Sequence, residues 1–287
     1  MKRKVLMLMM LGLLGTSVFI SGCGSGTNEI VEDDHYLYDD EEDDEDDGEI
    51  PELVDSISED ALSGQIDVIV ANREMWTSPA TQDSFFRVSY CVADLDHNGR
   101  AEIITTCVQG DSARTDLYIW EIDKNGDGLK SCDWRYTNID FLMNTYPALD
   151  SFSYWDSYVD SKDNSVHYVI SSVCGDGDIS GTQFSDVKLY KGTVTDDIFG
   201  FRSYDPNTGD EHYYIGGDEV NFTDFFDYIE SYSGDDSQSV FFGQYETFEG
   251  DDRTLNDTSE DELKNILHDS YMVFTGELSY EDFENQI

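Results

Sequence analysis

Positive charge is scarce in this chain. Sixteen Lys and Arg stand against 63 Asp and Glu in 287 residues, a formal net charge of −47. A surface of that sign repels phosphate, which excludes nucleic-acid binding, and the same sign excludes charge-driven attachment to anionic lipid. The sequence also lacks a span for a bilayer. Its apolar stretch from Val5 to Ile20 is 16 residues, short of the ~20 that a membrane-crossing helix needs. Recognisable catalytic signatures are missing as well: no G-x-S-x-G, H-E-x-x-H, P-loop or C-x-x-C occurs. The five His (His35, His97, His167, His212 and His268) are scattered, so a zinc site would need distant positions brought together. No repeat of fixed period is visible, which weighs against a propeller or a solenoid. Proline is rare, with 4 residues. What is present suffices for a packed core, since 39% hydrophobic and 13% aromatic residues exclude wholesale disorder.

The first fifty residues read as address and spacer. Lys2, Arg3 and Lys4 form a basic start, followed by the apolar stretch and then Ile20, Ser21, Gly22 and Cys23. This order resembles the signal peptide and lipobox of bacterial lipoproteins of Gram-positive type. The resemblance implies cleavage after residue 22, diacylation of Cys23, and a lipid anchor in the cell membrane with the protein on its extracellular face. An ordinary secretory signal with an incidental Cys is the alternative. Two acyl chains would hold a protein stably where one would not. Between Glu29 and Glu49, 14 of 21 residues are acidic. Such a run cannot bury enough apolar surface to order itself, so residues 23–50 are expected to be an extended acidic tether.

Residues 51–287 carry the fold. A helix is expected from the capping-box pair Ser56 and Glu59 through Leu62, Ile66, Ile69, Val70 and Trp76. From Phe86 the apolar period becomes two, giving a hairpin of strands near 86–92 and 103–108 and a third strand over 116–122. Further strands are expected at 152–159, 165–173, 184–191, 193–204 and 211–216, with a helix capped by Asn221 or Thr223 and a last helix from Ser259 to Tyr271. The reading is α+β, mainly β: antiparallel sheet of about eight strands, with helices at the N- and C-terminal ends of the domain.

One segment carries specific chemistry. Asp94-Leu95-Asp96-His97-Asn98-Gly99-Arg100-Ala101-Glu102 places oxygen-bearing side chains at positions 1, 3, 5 and 9 and Gly at the sixth. Calcium takes six to eight oxygens at ~2.3–2.6 Å, and a loop alternating ligand with non-ligand can curl around it. Asp94, Asp96, Asn98 and Glu102 are the candidate side-chain ligands, with Arg100 contributing its backbone carbonyl. The segment resembles the acidic hairpin loops of FG-GAP and VCBS-type calcium-binding repeats, and the first half of an EF-hand loop. It departs from them in having Asn98 for the commoner Asp and Thr105 where an EF-hand carries its bidentate Glu. A plain hairpin turn is the competing reading, because Asn-Gly between apolar runs is itself a strong turn signal. Asp123, Asn125 and Asp127 repeat the first half of the pattern, but Ser131 and Trp134 leave the cage incomplete, so a turn is favoured there.

Other features are read as structural. Gly110-Asp111-Ser112 has the residues of a GDSL-type nucleophile block, yet Asn265 stands where the Asp partner of His268 would be required. Cys91 and Cys107 flank the acidic loop almost symmetrically, which makes a cross-hairpin disulfide conceivable. The 18 Tyr, with Trp120, Trp134 and Trp155, could form a sugar-binding platform, though aromatic residues are ordinary sheet material. The strand-turn-helix run from Tyr213 to Val220 and beyond resembles a segment of uncharacterised Gram-positive lipoproteins, and that resemblance carries no catalytic residue. The expected function is a membrane-anchored extracellular binding or interaction module, with a structural calcium loop and an unknown surface protein or glycan as partner. A cell-envelope hydrolase using a carboxylate pair is the first alternative, and a solute-binding lipoprotein of two α/β lobes the second.

Overall fold

A computed structural model describes residues 52–82, 85–109, 115–136, 154–176, 179–205, 207–234, 237–248 and 258–286, all within the unit Gly48–Ile287. Cys23, the tether and the Gly110-Asp111-Ser112 block lie outside the described residues. Thirteen strands and five helices are present among the described residues, so the expected mainly β character holds while the count of about eight strands does not.

Helix α1 (Glu59–Ala71) buries Leu62, Ile66, Ile69 and Val70, the spacing that marked it. Its N-cap is Ser58 in extended conformation, with Glu59 and Asp60 against the positive end of the helix dipole. The Ser56–Glu59 capping box is therefore not used. Trp76 also lies outside α1. The chain leaves helical geometry at Asn72 and restarts as α2 (Arg73–Gln82), and the Trp76 indole folds back so that Nε1 donates to the Ile69 carbonyl at 2.8 Å.

The first sheet has the order β13-β1-β2-β3-β4 and is antiparallel throughout. It is built from β1 (Phe85–Ala93), β2 (Glu102–Gln109), β3 (Thr115–Ile122), β4 (Leu129–Ser131) and β13 (Tyr245–Phe248). Both faces of its central hairpin are buried: Val88, Tyr90 and Val92 on one, Ser89, Cys91 and Ala93 on the other. Helices α1, α2 and α4 (Glu260–Phe274) pack against this sheet. Trp76 meets Tyr90 edge-on at 5.2 Å.

The second sheet runs β11-β10-β9-β8-β7-β6-β12, again antiparallel, with β5 lying parallel to β9. Its strands are β5 (Asp133–Tyr136), β6 (Tyr154–Val159), β7 (Val166–Asp176), β8 (Ile179–Tyr190), β9 (Thr193–Tyr204), β10 (Glu211–Ile215), β11 (Asp218–Val220) and β12 (Gln238–Phe241). Trp155, Val166, Tyr168, Val187 and Val194 carry it into the same hydrophobic core as the first sheet. Where Phe199 interrupts the β8–β9 register, α3 (Phe222–Tyr232) docks instead. Phe199 stacks on Tyr232 with centroids 3.7 Å apart. Gly200 lets α3 approach closely here: a Cβ would come within 2.9 Å of the end of the Ile229 side chain, which would have to shift. The helices are thus not confined to the two ends: α3 stands between strands, and α5 (Tyr280–Glu284) closes the described chain.

The conceivable Cys91–Cys107 bridge is corrected by register. Cys91 faces Ile104 and Cys107 faces Val88, so the two thiols point to opposite faces of the hairpin and cannot be joined. Both side chains are buried and unbridged. The aromatic platform is likewise not formed by Trp120 and Trp155, which are 7% and 3% exposed in the core. The Trp134 side chain lies outside the described set.

Truncating Trp76, fully buried and fixed by its indole hydrogen bond, is expected to cost about 3–5 kcal/mol. Urea midpoints of Trp76→Ala and of Met75→Ala, whose side chain is exposed, check this. The second variant should stay within about 0.5 kcal/mol of the parent.

Candidate metal centre

The β1–β2 connection folds around its own first carboxylate. Asp94 Oδ1 accepts the Asn98 N–H and Oδ2 accepts the Gly99 N–H, both at 3.0 Å. The His97 N–H closes a turn on the Asp94 carbonyl at 3.3 Å. His97 at φ 53° and Gly99 at φ 82° supply the left-handed geometry that lets the chain reverse around the carboxylate. Asx turns of this kind need no ion, and part of what made the segment look like a calcium loop is this local capping.

The remainder is not explained by a turn. Asp94, Asp96 and Glu102 bring carboxylate oxygens within 4.8 Å of one another. Glu102 is wholly buried and Asp94 is 2% exposed. Oε2 of Glu102 accepts the Leu95 N–H at 2.7 Å, while its Oε1 is buried with no hydrogen-bond partner. An ionised oxygen left that way in a core costs several kcal/mol. A cation among the three carboxylates would remove both the orphan and the mutual repulsion, so the donor set fits a hard, oxygen-seeking ion. Asp94 is pushed up to about 7 by burial and by Asp96, and Asp96 to about 7 by burial and by Glu121. Glu102 is raised well above the carboxylate range by burial and by Asp96 and Asp94.

The other candidates are placed differently. Asn98 turns its Nδ2 toward the carboxylates, donating to Asp96 Oδ2 at 2.9 Å and to Glu121 Oε1 at 2.6 Å, while its Oδ1 accepts the Arg100 N–H at 2.8 Å. It would have to rotate its amide to offer an oxygen to an ion. The Arg100 side chain, to which no role was assigned, lies on Glu121, with Nε and Nη2 at 3.0 and 2.5 Å from Oε1. Glu121 itself was missed. It sits directly opposite Glu102 in the β2–β3 register and is 5% exposed. Sequence reasoning left it as one residue of an expected strand, because only the β2–β3 register brings residue 121 beside 102.

Three further residues hold the loop from outside. The Val54 N–H donates to the His97 carbonyl at 2.7 Å. Gln65 of α1 bridges the loop's exit, accepting the Ala101 N–H at 2.6 Å and donating to the Gly99 carbonyl at 2.9 Å. The Tyr168 hydroxyl donates to the Leu95 carbonyl at 2.8 Å.

The second acidic loop behaves as a turn. One oxygen of Asp123 accepts the N–H groups of Asn125, Gly126 and Asp127 at 3.0, 2.8 and 3.3 Å, and Asn125 and Asp127 are exposed.

A polar relay occupies the second sheet. Ser165 Oγ lies 2.8 Å from His167 Nε2, and His167 Nδ1 lies 2.9 Å from Asp186 Oδ1. The order matches a nucleophile, base and orienting acid. The serine is 3% exposed, however, and its hydroxyl also stands 2.6 Å from Asp163 Oδ1. Asp186 further accepts the hydroxyls of Tyr158 and Tyr232 at 2.8 and 3.1 Å. The relay thus satisfies a buried aspartate and offers a substrate no approach to Ser165.

Compared with known protein families, curated proteins and solved structures, the chain gives no match in any of the three.

Asp94 and Asp96 rise from an ordinary 3.8 to about 7 in the folded chain. The folded state therefore holds more protons than the unfolded state between those values, and stability falls as pH rises through that window. In chelator, the melting temperature should decline from pH 5 to pH 8. Asp196 and His268 shift the same way, so the decline is compared with that of Asp96→Asn, in which it should be shallower.

Proposed function

We propose that this protein is a lipid-anchored, outward-facing binding or interaction module whose Asp94–Glu102 loop holds a structural calcium ion. The observation that carries the ion is the orphaned Glu102 Oε1 within a group of three carboxylates, two of them buried and Asp96 half-buried. Asp94, Asp96 and Glu102 would hold it, with the Arg100 carbonyl and a rotated Asn98 amide as further oxygens. Calcium there would supply positive charge and nothing more. It would tie the loop to the ends of β1 and β2, with millimolar affinity typical of extracellular modules. The anchor rests on the Ile20-Ser21-Gly22-Cys23 box and the basic and apolar segments before it.

The alternatives have less behind them. A hydrolase working through a carboxylate pair needs that pair open to substrate, and the carboxylates gathered here are mostly buried. A solute-binding lipoprotein would be built of two α/β lobes, whereas the described residues form antiparallel sheets that share one core. A protein or glycan ligand bound at the acidic surface is the partner class that the module reading implies.

Two measurements test the proposal. Calcium should raise the melting temperature over chelator, saturating near millimolar. Glu102→Gln, which removes one carboxylate ligand, should lose the calcium response. A calcium response of unchanged size in Glu102→Gln would remove the site. For the anchor, a palmitate analogue fed to a bacterial host should label the parent and leave Cys23→Ser unlabelled.

A further inference from the structure

Glu121 and Arg100 are not accounted for by a three-carboxylate ion site. Glu121 is buried directly opposite Glu102, and like charges so placed across a strand pair destabilise it. Its Oε1 takes both the Arg100 fork and the Asn98 amide. That same Asn98 nitrogen also donates to Asp96 Oδ2, so Glu121 is linked to the ligand group through a single atom. Arg100 belongs to the loop itself. The loop therefore carries a cation of its own into the carboxylate group it would offer to an ion.

We propose that Arg100 is a tethered competitor for calcium: its guanidinium holds Glu121 in the ion-free loop, and ion binding passes Glu121 to the ion as a fourth carboxylate. The inference rests on the calcium reading above and deepens it. Four carboxylates with Arg100 leave three negative charges without compensation, and a divalent ion in place of Arg100 leaves two. Arg100 cannot do the ion's work alone. It reaches Glu121 but leaves the buried Glu102 Oε1 unpartnered, so compensation stops on one side of the strand pair. A guanidinium is a planar fork suited to one carboxylate, whereas calcium accepts oxygens from many directions. When the ion arrives, the Asn98 amide turns its Oδ1 inward, Glu121 is released, and Arg100 swings from its 27% exposed position toward water. Breaking that charge-assisted pair opposes binding, so Arg100 sets the calcium concentration at which the loop fills.

The test is calcium titration of the full chain in detergent, read as melting temperature, for the parent, Arg100→Gln, Arg100→Lys, Glu121→Gln and the Arg100→Gln/Glu121→Gln pair. Arg100→Gln is expected to melt lower than the parent in chelator and to half-saturate at about tenfold lower calcium. Arg100→Lys, which keeps charge but loses the fork, should move the same way by less, and it serves if the Gln variant does not fold. Glu121→Gln should need about tenfold more calcium, and in the double variant the gain from Arg100→Gln should vanish. A parent without any calcium shift overturns the ion reading and this one together. A responsive parent whose Arg100 variants bind no more tightly overturns the competitor role alone. Unchanged half-saturation in Glu121→Gln overturns the fourth ligand.

Discussion

Four carboxylates enter one corner of the core at the ends of β1, β2 and β3, and three of them, Asp94, Glu102 and Glu121, are 5% exposed or less. A carboxylate in a dry interior is tolerated only when donors, a proton or a cation compensate it. The fold meets part of that demand with backbone: Asp94 takes two amides, and Glu102 takes one. Arg100 and Asn98 meet another part at Glu121. The inner oxygen of Glu102 is left without a hydrogen-bond partner.

That corner is also where separate pieces of the domain meet. The segment before α1 clamps the loop through Val54, α1 reaches it through Gln65, and the second sheet reaches it through Tyr168. Tyr168 is itself held neutral by burial and by the neighbouring Glu102, Asp94 and Asp96, so its hydroxyl remains a donor to Leu95. Charge compensation at the loop consequently bears on how firmly an N-terminal strap, a helix and two sheets are joined, well beyond the turn in which the acids lie.

The strands and helices with a strong period were legible in the sequence. The β1–β2 hairpin, β3, β6 to β10, α3 and α4 all fall where alternation, helical spacing or the turn clusters between them put them. The short strands β4, β5, β11, β12 and β13 were not visible. They hold three or four residues, too few to show a period, and exist through pairing with a distant neighbour. At the site, Asp94, Asp96 and Glu102 were legible because one loop contains them. Glu121 and Gln65 were not, since register and helix docking bring them in from elsewhere. The orientation of the Asn98 amide and the grip of Arg100 on Glu121 depend on side-chain geometry that no spacing encodes.

The two sheets are closed by one late stretch of chain. β12 pairs with β6 at an edge of the second sheet, and β13 pairs with β1 at an edge of the first. In that second pairing Arg87 meets Glu246 from 159 positions away. Until residues 238–248 have been delivered, β1 and β6 present bare backbone along those edges, and such edges recruit strands from other molecules. Contacts this distant in sequence are also slow to form. The dense negative charge of the chain acts against such pairing, because like-charged molecules repel one another at the stage when those edges are still open.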